Sequence, residues 1–253
     1  MNIKDQNISK TEDILIIIPA YNEEQRLDKV LIGLPDECLG AQVDTLVVND
    51  GSTDKTRQIA ERRGCLILDH PNRQGYGASL IGGFNYALKK NYGYITKLDG
   101  DGQHEPAYIK TIIKILKRGG TDYVLSSRYQ RKIDCKSTAP AERKLVNRMI
   151  TGAINSVTRQ NLTDVFCGCF GLTVETLKKL NLKTTNYGIE LEMILQAHFA
   201  GAQILEIPHP LIYTEGSSKF LEVYGESHNL GARLEAYTTI MMDALKQLGI
   251  SEF

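Results

Sequence analysis

Between residues 14 and 126 the chain alternates five short apolar or β-branched runs with four stretches of helical periodicity, and few folds accept that order. The runs are 14–18, 45–48, 65–68, 94–98 and 123–126; the helical stretches are 23–34, 54–63, 78–90 and 106–118. A βαβαβαβαβ succession predicts an α/β fold built on a parallel, doubly wound sheet flanked by helices. Ligands of such a sheet bind beyond the carboxyl ends of its strands. The residues that bear on function are therefore those standing where each run stops.

The first run stops at PAYNE, the second at VVNDGSTD, and the fourth, YITKL, at Asp99-Gly100-Asp101-Gly102-Gln103. Asp-Gly pairs are ordinary turn formers, and Asp50 is equally suited to an Asx turn, so each acid has a structural reading beside a functional one. Ser52, Thr53 or Asp54 is placed to cap the helix that follows. Taken together, Tyr21, Glu23, Asp50, Asp99 and Asp101 offer one crevice an aromatic face, acceptors for ribose or base N–H groups, and a hard-oxygen pair. A nucleotide diphosphate with Mg²⁺ or Mn²⁺ asks for that set. After the third run, HPNRQGYGAS places Gly75 and Gly77 where backbone can approach a ligand closely. The spacing is not GxGxxG, which argues against a dinucleotide.

Charge narrows the partners. Thirty Lys plus Arg against thirty Asp plus Glu leave no net charge, so no nucleic-acid or anionic-membrane surface is advertised. The longest apolar run, ILIIIPA, falls far short of the roughly 20 residues a transmembrane helix needs. The polar residues 1–12 lack a secretory apolar segment, which predicts a flexible tail on a cytoplasmic protein. Five cysteines without a CxxC pair read as reduced, mostly buried thiols. A single domain is expected over 13–231, with a nucleotide-binding half at 13–128 and an acceptor-shaping half at 129–231 that holds a helix at 141–157 and further pieces at 169–173, 190–200 and 203–207. The segment 232–253 reads as an amphipathic helix, striped by Leu234, Tyr237, Met241, Ala244, Leu245 and Leu248. Such a stripe packs on its own domain, seams a dimer or meets a membrane.

PAYNE, VNDGSTD, DGDGQH, SSR and the glycine loop, in that order, resemble the family 2 glycosyltransferases with the GT-A fold, and within them the dolichol-phosphate mannose synthase branch. The resemblance covers about residues 14–219 and implies a Rossmann-like sandwich with a mostly parallel central sheet. It implies that Pro19, Ala20, Tyr21 and Glu23 hold the nucleoside and that Asp50 reads the base edge. Asp99, Gly100 and Asp101 match the DxD element, with Gln103 joining Asp99 and Asp101 around Mg²⁺ or Mn²⁺. Arg128 is similar to the arginine that meets the donor phosphates, and Lys219 to a lysine that closes over the donor. Arg143, with Asn147 one turn on, resembles a pair that greets an acceptor phosphate. His104 is not required by the family pattern and is left out of the metal set.

The activity so implied is inverting transfer of a hexose from a GDP- or UDP-sugar to an acceptor, a polyprenyl phosphate by the resemblance. An ionised phosphate needs no base; a glycan or other hydroxyl acceptor does, and Glu190 and then Asp164 are the candidates. Glu190 is also what a helix N-terminus favours for its dipole. The chain departs from the family where D-x-x-S-G-F-R is usual. Here Asp164 is followed by Cys167-Gly168-Cys169-Phe170, and the C-terminal membrane helices of many relatives have no counterpart. The altered Cys167-Gly168-Cys169 region keeps a non-catalytic nucleotide-sugar binding module open as an alternative, both departures keep a soluble glycan or hydroxyl acceptor open, and a peripheral contact with a membrane stays open as well.

Overall fold

In the structure, a computed structural model that describes residues 12–130, 139–212 and 230–250, the run ILIIIPA forms β1 (Ile14–Ala20). Residues 14 to 18 are wholly buried. Alternate side chains serve opposite faces of the strand, so Leu15 and Ile17 enter one hydrophobic cluster while Ile14, Ile16 and Ile18 enter another. Each such side chain contributes about 1.5–3 kcal/mol of transfer free energy. A strand buried on both faces can only be central.

The first half follows the expected order. After β1 come α1 (Leu27–Ile32), β2 (Glu37–Cys38), β3 (Ala41–Asp50), α2 (Thr56–Arg62) and β4 (Leu66–His70). Then follow α3 (Tyr76–Lys89), β5 (Tyr94–Lys97), α4 (Ala107–Arg118) and β6 (Tyr123–Ser127). The second half contributes α5 (Ala141–Thr158), β7 (Phe170–Thr173), α6 (Val174–Leu177), α7 (Ile189–Phe199), β8 (Ile204–Pro208) and α8 (Leu230–Gln247). Leu80, Phe84 and Ala87 of α3, Val146, Ile150 and Ile154 of α5, and the body of α7 cover one face. Leu27 and Val30 of α1, Ile59 of α2 and the stripe Ile109, Ile112, Ile113 and Leu116 of α4 cover the other. The result is an α/β sandwich of helices on a mostly parallel sheet.

Among the described residues the sheet runs β2-β3-β1-β5-β7-β6-β8, with β4 also on β3. β1 pairs parallel with β3 and β5, β3 with β4, and β6 with β8. Besides the short β2, antiparallel to β3, the departure is β7, which pairs antiparallel with both β5 and β6 and separates two strands that the alternating order would make neighbours. Gly171 of β7 makes the fit possible, because a Cβ there would come within 2.4 Å of Ile112 Cγ2 on the helix above. The chain thus returns from its second half to complete the middle of its first.

Two local differences have physical causes. Helix α1 starts at Leu27 rather than at residue 23, because Glu23 and Glu24 form the turn before it and bond to another loop. The two-residue hairpin strand β2 lacks the length to give a period. On α8, Tyr237, Met241, Ala244 and Leu245 are buried in the same cluster as α3, α5 and α7, so the stripe packs on the chain itself. Among the described residues no helix is long and apolar enough to cross a membrane.

Candidate active site

β1, β3, β5 and β6 point the same way, so Ala20, Asp50, Lys97 and Ser127 end at one rim. A cavity of about 280 Å³ opens there. On its wall stand Pro19, Ala20, Tyr21, Glu23 and Asp50 from the first two strand ends; Asp99, Gly100, Asp101 and Gln103 from the third; and Arg128, Arg143 and Glu190 from the second half. Two other expected residues do not join them. Asp164 lies behind the wall, and Lys219 lies outside the described residues.

The first two strand-end loops are clasped to each other. The Asn22 N–H donates to Ser52 Oγ at 3.0 Å and Asn22 Oδ1 accepts from the Thr53 N–H at 2.9 Å, with Asn22 at φ 51°. The Glu24 N–H donates to Asp54 Oδ2, and Glu24 Oε2 accepts from the Lys55 N–H, both at 3.1 Å. Asp54 also accepts from the Thr56 N–H at 2.9 Å, an Asx turn at the head of α2. Four reciprocal bonds hold the floor under Tyr21, and the Arg73 guanidinium lies 4.1 Å from the Tyr21 ring centroid.

Asp50, on the cavity wall, also has partners within the protein. Its Oδ1 accepts from the Gln74 N–H at 2.8 Å and faces His70 Nδ1 at 2.8 Å, while Oδ2 accepts from the Gly75 N–H at 2.9 Å. The carboxylate therefore pins the glycine loop. Those glycines admit protein rather than ligand: a Cβ on Gly75 would meet Thr185 O at 2.7 Å, and one on Gly77 would meet Thr184 O at 2.3 Å. Gly75, at φ 105°, is also in a region that side chains avoid.

At the third strand end the acids are concentrated. Asp101 Oδ1 accepts from the Gln103 N–H at 3.0 Å, which fixes the DGDGQ turn. Burial and the neighbouring Asp99 charge push the Asp101 carboxyl up to about 7. Asp99 goes the other way: burial would raise it, but the charge of Lys97 holds it below the usual carboxylate range. Lys97 is the residue that periodicity hides, since it ends a buried strand and has no exposed surface. Its Nζ donates to Asp99 Oδ1 at 2.5 Å and lies 4.7 Å from the Tyr76 ring centroid. Asp99 Oδ2 faces His104 Nε2 at 3.3 Å. A lysine two residues before a strand-end acid pair, inside an otherwise apolar run, is the signal that betrays it.

No three His, Cys, Asp or Glu side chains among the described residues are arranged to hold a metal unaided. Two carboxylates and one amide oxygen do fit a hard cation that shares its shell with phosphate oxygens. The departure at Cys167-Gly168-Cys169 leaves this end intact. Both cysteines are buried free thiols, and Gly168 lies against the acid: a Cβ there would come within 1.8 Å of Asp99 Oδ2 and 2.9 Å of His104 Nε2.

On the acceptor side, Asp164 accepts five hydrogen bonds and has no exposed side-chain surface. Arg128 supplies three, from its N–H at 3.1 Å, from Nε at 2.7 Å and from Nη2 at 3.0 Å; Asn147 Nδ2 adds one at 2.6 Å. Burial would raise the Asp164 carboxyl, yet the Arg128 charge and bonds keep it below its ordinary value. This geometry anchors Arg128 on Asp164, and Asn147, which also lines the cavity, bonds to the same carboxylate. Glu190 opens α7, where burial raises its carboxyl and the Tyr76 hydroxyl donates to Oε1. Tyr76 in turn stacks on Tyr187 at 5.2 Å. Tyr237 of α8 reaches the same wall and packs on Phe166 at 4.6 Å.

A model of glycosyl transferase family 2 matches residues 15–180, more than half of the chain. This protein is a family 2 glycosyltransferase. An uncharacterized protein of Methanocaldococcus jannaschii is 32% identical to it over 222 residues, covering 85% of this chain and 88% of that protein. The undecaprenyl-phosphate mannosyltransferase of Micrococcus luteus is 29% identical over 216 residues, covering 81% of this chain and 86% of the relative. Among solved structures, glucosyl-3-phosphoglycerate synthase of Mycobacterium tuberculosis superposes with a TM-score of 0.70 at 18% identity, over 95% of this chain and 81% of the other. That crystal contains Mn²⁺, uridine diphosphate and glucosyl-3-phosphoglycerate. The shared fold is GT-A.

For this glycosyltransferase, Gly168→Ala is expected to leave the fold standing, at a cost of about 1–3 kcal/mol for overpacking. Turnover of the sugar donor should fall about a hundredfold, because a displacement of about 1 Å at a reacting centre costs that much. Thermal unfolding and initial rates on one preparation separate the two effects. Wild-type turnover would mean that the position of Asp99 does not matter.

Proposed function

We propose that the protein is an inverting, divalent-metal-dependent hexosyltransferase that takes its sugar from a GDP- or UDP-linked donor and delivers it to a polyprenyl phosphate. The observation that carries this reading is the composition of one cavity. Asp99, Asp101 and Gln103 line it together with Arg143 and the apolar side chains of Ala139, Val146, Phe166 and Leu211. A cation set in an apolar wall suits a phosphate attached to hydrocarbon. The name of the Micrococcus luteus relative points to the same acceptor class.

In this reading Tyr21 and Glu23 bind the nucleoside, and Arg128, fixed by Asp164, faces the donor phosphates. Mg²⁺ or Mn²⁺ bound at Asp99, Asp101 and Gln103 supplies positive charge where the leaving diphosphate gains negative charge. Arg143 holds the acceptor phosphate so that one of its oxygens meets the anomeric carbon opposite the departing diphosphate; the bond to the diphosphate breaks as the new C–O bond forms. The acceptor oxygen is already ionised near neutral pH, so no proton has to be removed. Lys219 is assigned to closure over the donor by resemblance. The protein works from the cytoplasm and meets the membrane peripherally.

A second reading, a hydroxyl acceptor, is favoured by one observation: Glu190 is buried on the cavity wall with a raised pKa, as a general base requires. Two variants decide. With detergent-solubilised undecaprenyl phosphate, Arg143→Ala should lower transfer by about a hundredfold, the worth of lost charge-assisted hydrogen bonds, while slow donor hydrolysis persists. Glu190→Gln should change transfer little, since the amide oxygen still accepts from Tyr76. The reverse pattern on a soluble glycan would establish the hydroxyl reading and remove the first. A chain that binds nucleotide sugar yet releases no nucleoside diphosphate would be a binding module.

A further inference from the structure

Lys97 is a fully buried cation whose nearest acidic partner belongs to the element expected to bind a cation. Its Nζ donates to Asp99 Oδ1 at 2.5 Å, and Asp99 Oδ2 is met by His104 Nε2 at 3.3 Å, with Gly168 beneath. Both oxygens of Asp99 are therefore shared with protein groups, one of them a buried ammonium, so the negative charge that Asp99 can offer a metal is reduced. Lys97 has no exposed surface, and the Tyr76 and Phe170 rings pack near it at 4.7 and 5.9 Å. Phe170 is also its direct partner across the β5–β7 pairing, so the lysine cannot swing away without opening the sheet.

We propose that Lys97 is a resident counter-cation which cancels the charge of Asp99 and makes binding of the divalent metal conditional on the nucleotide diphosphate. Alone, the pocket offers a metal one uncompensated carboxylate and an amide, too little for a hard cation that needs six or more oxygen ligands. When the diphosphate arrives it supplies further anionic oxygens, and metal and nucleotide enter as one unit. The charge of Lys97 also favours the ionised forms of Asp101 and Glu190, so its influence reaches beyond Asp99. Lys97 is thus a positioning residue: it touches neither metal nor sugar and works through Asp99. The inference rests on the metal-dependent reading above, but it makes a claim about metal alone that does not need turnover.

The test is calorimetric titration of the full chain with Mn²⁺, with and without saturating UDP or GDP. For the wild type, Mn²⁺ alone should bind at least tenfold more weakly than Mn²⁺ with nucleotide. Lys97→Met removes the charge, and Lys97→Gln removes it while retaining an N–H donor for Asp99. Each should tighten binding of Mn²⁺ alone by about tenfold or more, as loss of a unit positive charge a few ångströms from a cation site requires. In both variants the gain from added nucleotide should shrink.

Variants that bind Mn²⁺ alone no better than wild type would overturn the proposal and leave Lys97 as a structural partner of Asp99. The wild-type measurement guards against variants that do not fold, since equal Mn²⁺ affinity with and without nucleotide overturns the proposal by itself. Tightened Mn²⁺ binding in the variants and nucleotide-coupled Mn²⁺ binding in the wild type, together with sugar transfer that EDTA leaves unchanged, would uphold the counter-cation and sink the metal-dependent reading.

Discussion

Asp101→Asn is expected to lower transfer by about a hundred- to a thousandfold, the cost of losing one preorganised electrostatic contribution to a developing anion. The substitution isolates charge from shape. Asp101 Oδ1 accepts from the Gln103 N–H, and an asparagine oxygen can take that bond, so the DGDGQ turn survives. What disappears is the negative oxygen that a hard cation selects. Binding of UDP or GDP should consequently become indifferent to Mg²⁺ and Mn²⁺, which calorimetry with and without EDTA reads directly. Gln103→Ala should be milder, because water can replace a neutral ligand. Turnover by Asp101→Asn within a few-fold of wild type would remove the metal assignment from this pair.

Asp164→Ala should lower unfolding stability by about 3–5 kcal/mol, because it strands the Arg128 guanidinium in a buried site. The Arg128 side chain is 18% exposed and that of Asp164 is fully buried, so the pair is not a solvent-screened surface bridge. A domain of this kind has about 5–15 kcal/mol in all, so the loss should show plainly in urea unfolding midpoints. Its pH dependence has a definite sign. The Asp164 carboxyl is depressed in the folded state, so its contribution is present above the ordinary carboxylate pKa of about 3.9 and is lost as pH falls through the lower folded value. If Asp164 were instead the base of the reaction, Asp164→Asn would abolish transfer and leave the unfolding midpoint near wild type.

The strands that carry the site were legible because they are short, β-branched and buried on both faces, and their ends were marked by Gly, Asp and Asn. Their boundaries fall within a few residues of those read from the sequence. β7 was not legible as an inserted strand. FGLT has too few residues to signal a direction, and its pairing partners lie tens of residues upstream.

The positions along the cavity wall were similarly readable, whereas the partners of its acids were not. Asp50 is satisfied by backbone 24 and 25 residues on, and Asp164 by Arg128 36 residues back; nothing local announces either bond. Lys97 was passed over as a strand residue because alternation records burial and not charge. Tyr76 and Tyr187, which brace Glu190, come from separate elements that meet only in the folded chain.

The antiparallel strand at the centre of the sheet also governs the order in which the protein can be made. β5 and β6 have no direct pairing; each is completed by β7, and the outer edge of β6 by β8. During synthesis the strands up to Ser127 emerge with two open edges in mid-sheet, and those edges stay open until the segment ending at Thr173 has left the ribosome. Closing them joins residues far apart in sequence, so folding carries the slow signature of high contact order. A nascent chain stalled before β7 is therefore expected to expose the unpaired edge of β5 and the whole of β6, surfaces that chaperones bind.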